Sequence, residues 1–308
     1  MEPKISILIP AFKIAYLRKC LDSICKQSYN NWEVVVVDDC SPEDIKSIVF
    51  GYNDNRIFYY RNEHNYGAVN VVDNWNKCLE YATGDYCICI GDDDMLPQES
   101  LKVYAQYIVK YPFVDVFHAR TILVDQNDKP FYVTNARAEY ESVYSLIRHR
   151  MNDEYQFVGD FCYKITKLRE LGGYIKFPLA WGSDDVTAYA MAEKHGIVNL
   201  IEPSFYYRVN TLSITSTGNI GIKIKATNLQ RSWFNDFFSR QSPQILVDSL
   251  ALDSITYGIN KYLDKKIVGY LSVDIKMNRL HLLSWIFKCK KMKINKSMLL
   301  LGILKSFK

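Results

Sequence analysis

Apolar runs rich in β-branched residues recur along the first 120 residues, separated by segments with helical spacing. Five runs have this character: ISILIP (5–10), WEVVVVDD (32–39), RIFYY (56–60), DYCICI (85–90) and VDVFHA (114–119). Apolar positions at helical intervals lie between them, at 14–27, 68–82 and 97–110. Strands that alternate with helices form right-handed βαβ units. The order therefore predicts an α/β fold with a mainly parallel sheet and helices on both faces.

Candidate site residues directly follow four of these predicted strands. They are Pro10, Ala11 and Phe12 after the first strand, Asp39 at the end of the second, Arg61 after the third, and Asp92, Asp93 and Asp94 after the fourth. The carboxyl ends of parallel strands meet at one edge of a sheet, where such sheets bind ligands. The sequence therefore predicts that these side chains line a single site.

The segment CICIGDDDMLP (87–97) places three carboxylates side by side after a buried strand. Adjacent carboxylates are costly unless they are solvated, protonated or neutralised by a cation. Oxygen ligands suit Mg²⁺ or Mn²⁺, which leave coordination positions open for phosphate oxygens. The triplet thus indicates a platform for metal and diphosphate, and the alternative is a solvated acidic turn before the helix at Pro97.

The C-terminal part of the chain differs in pattern and in charge. Beyond residue 120 the pattern is less regular, with a strand predicted at 155–163, a helix at 183–195 and helices after 220. Residues 261–308 hold 12 Lys or Arg and 2 Asp or Glu, whereas the whole chain holds 38 and 34. We predict a catalytic domain at 1–220 and a basic helical extension at 221–308. Such charge asymmetry indicates an anionic surface as a partner.

Apolar clusters with Trp285 and Phe287 alternate with lysines in residues 280–308. This pattern is typical of helices that lie on an anionic membrane, although it also fits a helix that packs on the protein. The eight cysteines include no CxxC, and no signal peptide precedes the first strand. We therefore expect reduced thiols and a cytoplasmic protein, peripheral on the inner face of the cell membrane, without a nucleic-acid partner.

Three segments together resemble the family 2 glycosyltransferases. They are SILIPAFK (6–13), LDSICKQSYNNWEVVVVDDCSPED (21–44), and NYG (65–67) followed by NKCLEYATGDYCICIGDDDMLP (76–97). The resemblance covers roughly residues 4–210 and implies the GT-A fold. It also implies an inverting hexosyl- or N-acetylhexosaminyltransferase that uses a nucleotide-diphosphate sugar and Mn²⁺ or Mg²⁺. A glycan or lipid-linked acceptor in surface polysaccharide synthesis is the implied second substrate.

The resemblance also implies roles for individual residues of the donor site. Pro10, Ala11 and Phe12 would border the nucleotide base, and Asp39 would accept a hydrogen bond from the uracil imide, which indicates a UDP-sugar. Asp92, Asp93 and Asp94 match the DxD motif, with Asp94 and Asp92 as metal ligands and Asp92 and Asp93 near the ribose. Arg61 and Arg208 would help to hold the nucleotide-sugar, the latter from the segment YYRVNTLSITS (206–216).

A second constellation, AWGSDDVTAYAM (180–191), resembles the part of the family that carries the catalytic base. An inverting displacement needs a carboxylate that takes the proton of the acceptor hydroxyl. Asp185 matches this position best and Asp184 is next, whereas both could simply be first-turn acids of a helix. Trp181 would contact the acceptor sugar.

Three other protein classes fit the sequence less well. A response-regulator receiver has its acidic pair on the first strand, but here a strand–helix unit precedes VVVVDDC. A nucleotidyltransferase would need a glycine-rich basic loop after strand one, and IPAFKIAY has no glycine. A catalytically silent nucleotide-sugar-binding protein would not need both the DxD and an acid at position 185.

Overall fold

Nine strands form one mixed sheet in the computed structural model of this protein, which describes residues 2–210 and 219–307. The strands are β1 (Ile5–Ala11), β2 (Trp32–Asp38), β3 (Ile57–Arg61), β4 (Tyr86–Cys89), β5 (Val116–Val124), β6 (Pro130–Val133), β7 (Tyr140–Glu141), β8 (Phe161–Lys164) and β9 (Ile197–Arg208). All five predicted strands of the first 120 residues are present. The strand predicted at 155–163 begins only at Phe161, because residues 158–160 form a 3₁₀ turn.

Helices connect and cover these strands. In the described ranges they are α1 (Leu17–Cys25), α2 (Ile45–Phe50), α3 (Val71–Tyr81), α4 (Ser100–Lys110), α5 (Val143–Met151), α6 (Ile165–Glu170), α7 (Ser183–Ala192), α8 (Ile220–Ser239), α9 (Leu246–Met277), α10 (His281–Lys288) and α11 (Lys296–Ser306). The region after residue 220 is helical, as the sequence predicts.

The sheet is parallel in its first half and mixed in its second. Its strand order is β3-β2-β1-β4-β8-β5-β9-β7, and β6 pairs with β5. Strands β1 to β4 run parallel, with Leu8 opposite Val35 and Ile7 opposite Ile88. Strand β8 enters antiparallel between β4 and β5, and β5 pairs in parallel with β9. The carboxyl ends of β1, β2 and β4 therefore lie at one edge.

Helices cover both faces of the sheet, which explains the continuous apolar runs of the central strands. Ile7, Ile9 and Val34 pack on one face in a core shared with α1, α2 and α4. Their sequence neighbours Leu8 and Val35 pack on the other face in a core shared with α3, α5 and α7. Successive strand residues point to opposite faces, so each run is buried on both sides.

The C-terminal helices continue the second of these cores. Phe234 and Phe237 of α8 and Ile259 and Leu263 of α9 belong to the same hydrophobic cluster as α5 and α7. A smaller cluster joins α8 and α9 to α10 and α11 through Trp285. The predicted boundary after residue 220 therefore falls where α8 begins to pack on the sheet domain. Among the described residues, no helix combines the length and the apolar character that crossing a bilayer requires.

Candidate active site

A cavity of about 880 Å³ opens at the edge of the sheet where β1, β2 and β4 end. Most residues that the sequence predicts for the site line it: Pro10, Phe12, Asp39, Asp92, Asp93, Asp94, Trp181, Asp184 and Asp185. The other three predicted residues, Ala11, Arg61 and Arg208, are not among its lining residues. The sheet edge and the start of α7 thus meet in one cavity.

Asp39 holds the loop between β3 and α3 at the rim of the cavity. Its Oδ1 accepts hydrogen bonds from Asn62 Nδ2 at 2.9 Å and from the backbone N–H of Tyr66 at 3.0 Å. Its Oδ2 accepts from the backbone N–H of Gly67 at 3.2 Å. A carboxylate offers about four lone-pair sites, so these three donors leave room for one from a ligand.

Arg61 has a structural partner in this protein. Its guanidinium forms an ion pair with the fully buried Asp38 and donates to the backbone carbonyl of Ser41 at 2.9 Å. Asp38 also accepts from the hydroxyl of Tyr59 at 2.8 Å. Arg61 therefore anchors the loop after β2, and its predicted contact with the nucleotide stays a prediction.

The acidic turn, Asp92–Asp94, is tied to two other chain segments. Asp92 Oδ2 accepts from the backbone N–H groups of Phe12 at 2.8 Å and Lys13 at 2.7 Å. Asp94 Oδ1 accepts from the backbone N–H of Arg208 at 2.9 Å. The turn therefore joins the end of β4 to the ends of β1 and β9.

Burial and mutual repulsion make the acidic turn electrostatically costly. Burial first, and then the neighbouring Asp93, raises the pKa of Asp92 to about 6. The same two causes raise the pKa of Asp94 well above its ordinary value. A bound cation would offset both the burial and the mutual repulsion of these carboxylates, because it favours their ionised form.

Arg208 supports the acidic turn from behind the cavity. Its side chain is almost fully buried, its Nε donates to the carbonyl of Asp93 at 2.8 Å, and its guanidinium pairs with Asp128 at 2.6 Å. The predicted contact of Arg208 with the donor stays a prediction. Residues 211–216 of the segment that resembles the family's diphosphate closure lie outside the described residues.

The donor set of the acidic turn fits a hard divalent cation that completes its coordination with a substrate. Carboxylate oxygens are the ligands that Mg²⁺ and Mn²⁺ prefer, and Mg²⁺ sites often use only one or two protein carboxylates with substrate phosphates. In the ranges 2–210 and 219–307, no group of three or more His, Cys, Asp or Glu is arranged as a complete metal site. An ion at the turn would complete its coordination with phosphate oxygens of a substrate.

Asp184 and Asp185 stand in the first turn of α7, as the sequence predicts, and both face charged neighbours. Asp185 is only 3% exposed, and its Oδ2 accepts from Arg150 Nε of α5 at 3.0 Å. The Gln156 amide satisfies its neighbours when its oxygen faces Arg137 and its nitrogen faces Asp185. In this orientation the nitrogen donates to Asp185 Oδ1 at 3.0 Å. Burial first, and then Asp185, raises the pKa of Asp184 to about 7. Asp184 thus supplies a carboxylate suited to proton transfer near neutral pH, directly beside Asp185.

Helices α8 and α9 hold the loop that precedes this pair. The indole N–H of Trp181 donates to the hydroxyl of Tyr270 at 2.8 Å, and the carbonyl of Trp181 accepts from Gln230 Nε2 at 2.7 Å. The ammonium of Lys223 lies 4.4 Å from the Trp181 ring centroid. The C-terminal extension therefore shapes the cavity wall.

Arg150, Gln156 and Lys266 are among the lining residues that sequence reasoning missed. Arg150 and Lys266 belong to helices whose sequence gives no sign of which face meets the cavity. Gln156 lies in an irregular segment. Only tertiary packing brings these side chains to Asp184 and Asp185, so no local pattern could have identified them.

Comparison with known proteins supports one family. The model described as Glycosyl transferase family 2 matches residues 6–167. The putative colanic acid biosynthesis glycosyl transferase WcaA of Escherichia coli (strain K12) is 36% identical over 119 residues, which is 37% of this chain and 42% of that protein. Glycosyltransferase GlyA of Streptococcus pneumoniae is 30% identical over 48% of this chain and 21% of its own length. The match thus spans less than half of either relative.

A longer match and a solved structure extend the comparison. The UDP-Glc:alpha-D-GlcNAc-diphosphoundecaprenol beta-1,3-glucosyltransferase WfgD of Escherichia coli is 24% identical over 84% of this chain and 94% of its own length. The crystal structure of Staphylococcus aureus TarS 1-349 in complex with UDP-GlcNAc superposes with a TM-score of 0.63. It is 17% identical and covers 98% of this chain and 79% of that chain. This likeness concerns the fold, and it confirms the expected fold class with its helical C-terminal region.

Proposed function

Because this chain belongs to glycosyl transferase family 2, we propose that it transfers a sugar from a UDP-sugar to a glycan or lipid-linked acceptor in surface polysaccharide synthesis. One observation carries the proposal: a single cavity holds a carboxylate suited to a nucleotide base, an acidic turn suited to a diphosphate, and a carboxylate pair suited to proton transfer. These groups are far apart in the sequence but line the same cavity. Unrelated surface acids would not be expected to converge in this way.

The geometry around Asp39 supports a uridine nucleotide. Asp39 has room for one further donor, and the imide N–H of uracil is such a donor. Phe12 lines the same cavity with 38% of its surface exposed, so its ring is available to border a base. The name of WfgD includes UDP-Glc, and the TarS structure is a complex with UDP-GlcNAc.

Asp92, Asp93 and Asp94 would hold Mn²⁺ or Mg²⁺ together with the donor diphosphate. Such an ion supplies charge stabilisation for the leaving UDP. The protein contributes the fixed position of the turn, because Phe12, Lys13 and Arg208 bind its carboxylates through backbone N–H groups.

Asp185 is the proposed general base, with Asp184 beside it. The acceptor hydroxyl oxygen attacks the anomeric carbon, the bond from that carbon to the diphosphate oxygen breaks, and UDP leaves with the electron pair. Asp185 takes the hydroxyl proton. Arg150 and Gln156 hold its carboxylate in one orientation, and attack from the side opposite UDP inverts the anomeric configuration.

The decisive experiment screens nucleotide sugars with Mn²⁺ and then tests Asp185→Asn on the best donor. We expect the substitution to lower transfer by roughly 10²–10⁴-fold while UDP binding stays nearly unchanged. Asp236→Asn on the exposed side of α8 is the matched control. Undiminished transfer by Asp185→Asn would refute the assigned base, and a wild-type protein that binds no nucleotide sugar would refute the function.

The exposed faces of α10 and α11 favour peripheral membrane binding. Large apolar side chains recur there at helical spacing with 53–86% of their surface exposed: Leu280, Leu283, Ile286, Phe287, Leu300, Leu301, Leu304 and Phe307. Trp285 and Met298 are buried against α9 instead. Each helix thus has one packed and one exposed apolar face. Lys288 ends α10, and Lys290, Lys291 and Lys293 lie between the two helices. This arrangement suits an anionic lipid surface, where each basic residue contributes about 1 kcal/mol.

Sedimentation with vesicles of anionic or neutral lipid tests this membrane proposal. We expect the full chain to bind anionic vesicles in a salt-sensitive way. The pairs Leu283→Ser/Phe287→Ser and Lys290→Glu/Lys291→Glu should each reduce binding, whereas Lys261→Glu on α9 should not. Unchanged binding by both pairs would exclude this surface. If the protein instead dimerises without binding vesicles, and Leu283→Ser/Phe287→Ser abolishes the dimer, then a second copy of the chain covers this apolar surface.

A further inference from the structure

Lys266 reaches the cavity from the C-terminal extension. It lies on α9, about 80 residues after the carboxylate pair, and its half-buried side chain lines the cavity with Asp184, Asp185 and Arg150. The ring of Tyr262, one turn earlier on α9, contacts the Lys266 ammonium and lines a small pocket with Arg150 and Asp185, so Lys266 lies near these charges. Lys266 is outside residues 6–167, the part of the chain that the family model matches. Lys266 thus comes from the helical extension and not from the matched segment.

The charges around Lys266 leave its own charge without a close counter-ion. Arg150 already forms an ion pair with Asp185 at 3.0 Å, so that pair is neutral. Asp184, whose pKa is about 7, carries only part of its charge near neutral pH. Within the ranges 2–210 and 219–307 Lys266 forms no ion pair, and its cation contact is the ring of Tyr262, 4.8 Å from the centroid.

The surroundings of Lys266 also oppose its charge. Burial first, and then Arg150, lowers its pKa to about 8. A half-buried ammonium beside a second cation is stabilised when an anion binds to it, because the anion restores the lost solvation and offsets the repulsion. An anionic ligand group at this place would therefore bind with a charge-assisted hydrogen bond.

The neighbours of Lys266 indicate which substrate carries that group. Lys266 extends from α9 and not from the strand ends that carry the acidic turn. One turn further along the same face of α9, Tyr270 accepts a hydrogen bond from the indole N–H of Trp181, which stands just before α7. Lys266 stands instead beside the proposed base, where the acceptor hydroxyl must lie. An anion bound there would therefore belong to the acceptor.

We propose that Lys266 binds a phosphate group attached to the acceptor sugar, so that the acceptor is a sugar phosphate or diphosphate ester rather than a neutral glycan. The inference rests on the proposed glycosyl transfer and narrows its acceptor. Lys266 acts here as a binding residue, and proton transfer stays with the Asp184–Asp185 pair.

The test compares three synthetic acceptors that share one sugar: an alkyl diphosphate ester, a monophosphate and a neutral alkyl glycoside. Lys266→Met keeps most of the apolar stem, Lys266→Arg restores the charge, and Lys265→Met is the adjacent control. Lys265 points outward and pairs with Asp153 at 2.5 Å. Donor binding is measured separately for every variant with UDP-sugar and Mn²⁺, and thermal unfolding shows that each variant is folded.

We expect Lys266→Met to lower kcat/KM for the phosphorylated acceptors by roughly 10- to 100-fold, mainly through KM. The neutral glycoside, donor binding and the Lys265→Met variant should change little, and Lys266→Arg should recover most of the loss. The diphosphate and monophosphate arms show which ester is bound better. An equal loss with charged and neutral acceptors, or no loss with either, would overturn the inference while donor binding still upholds the transferase. A wild-type protein without donor binding would overturn both.

Discussion

The backbone contacts of the acidic turn permit a test of its role at the level of one residue. Asp94 accepts hydrogen bonds from the backbone N–H groups of Arg208 and Gly91. Burial, and then the neighbouring Asp93, raises the pKa of Asp94. Asp94→Asn should weaken Mn²⁺-dependent UDP binding by roughly 10- to 100-fold, because an amide supplies neither the charge nor both acceptor oxygens. Calorimetric titration of UDP with and without Mn²⁺ measures this. Asp236→Asn should bind as the wild type does, and an unaltered Mn²⁺ effect in Asp94→Asn would place the ion elsewhere.

Glu33 serves stability at the opposite ends of the same strands. It is 2% exposed and accepts hydrogen bonds from Lys4 Nζ, Ser6 Oγ and Thr83, each at 2.6 Å. Burial alone would raise its pKa, but these donors outweigh burial and lower it to about 2. The depressed pKa means that Glu33 stabilises the fold fully above about pH 4.5, and that this contribution is lost as the pH falls toward 2.

Glu33→Gln should therefore lower the free energy of unfolding by about 2 kcal/mol at pH 7 and by progressively less below pH 4.5. Urea denaturation at pH 7 and pH 3 checks both the size and the sign. Glu80→Gln removes only an exposed ion pair with Lys77 and should change stability by less than about 0.5 kcal/mol. A difference between wild type and Glu33→Gln that grows on acidification would contradict this account.

Site residues divide into those that a local pattern reveals and those that it does not. Asp39 and Asp94 follow β-branched runs, and parallel strands bring such ends to one edge, so sequence alone predicts their convergence. Arg61 follows a strand equally closely, yet its partner is the buried Asp38. Lys266 sits on a long helix where a lysine is ordinarily solvated, and only the packing of α9 turns it toward the cavity.

At the scale of elements, the loop from Trp181 to α7 depends on close packing against α8. Gly182 has φ +81°, and a Cβ there would lie 2.6 Å from Gln230 Cδ. Gly172 has a similar φ of +90°, but a Cβ there would meet no atom within 4 Å. An alanine at either position would strain the backbone, but only an alanine at position 182 would also clash with a neighbouring side chain.

Gly172→Ala should cost only the left-handed backbone strain, about 1–2 kcal/mol. Gly182→Ala should cost about 1–3 kcal/mol more, because Gln230 must move, and transfer should fall since Trp181 and Asp185 shift with the loop. Denaturation curves and transfer rates of the two variants measure this difference. Equal stability and equal activity of the two variants would show that Gln230 yields freely and that α8 does not position the loop.

The order of the strands shows where sequence-based prediction of elements ends. Runs such as WEVVVVDD identify β1, β2 and β4 because burial on both faces demands continuous apolar residues. Strand β8 has only four residues, FCYK, and it pairs antiparallel between β4 and β5 from a distant part of the chain. Its place depends on long-range pairing, so no pattern in the first 120 residues could reveal it.

At the scale of the whole molecule, the extension has two parts with different relations to the core. Helices α8 and α9 contribute Phe234, Phe237, Ile259 and Leu263 to the core that α5 and α7 share. Helices α10 and α11 pack on the smaller cluster around Trp285. Each fully buried large apolar side chain contributes roughly 1.5–3 kcal/mol, so the first part alone can decide whether the sheet domain folds.

Removing residues 280–308 should therefore leave a folded protein with a lower unfolding temperature, since Ile267, Leu271 and Ile275 lose their cover. This shorter chain should retain transfer to a soluble acceptor and lose vesicle binding. Removing residues 220–308 should abolish cooperative unfolding, because the core under α5 and α7 opens to water and Trp181 loses Tyr270 and Gln230. Calorimetry and transfer assays on both chains distinguish these results. A stable, active protein ending at residue 219 would show that the sheet domain is independent, and the placement of Lys266 in the active site would then be dispensable.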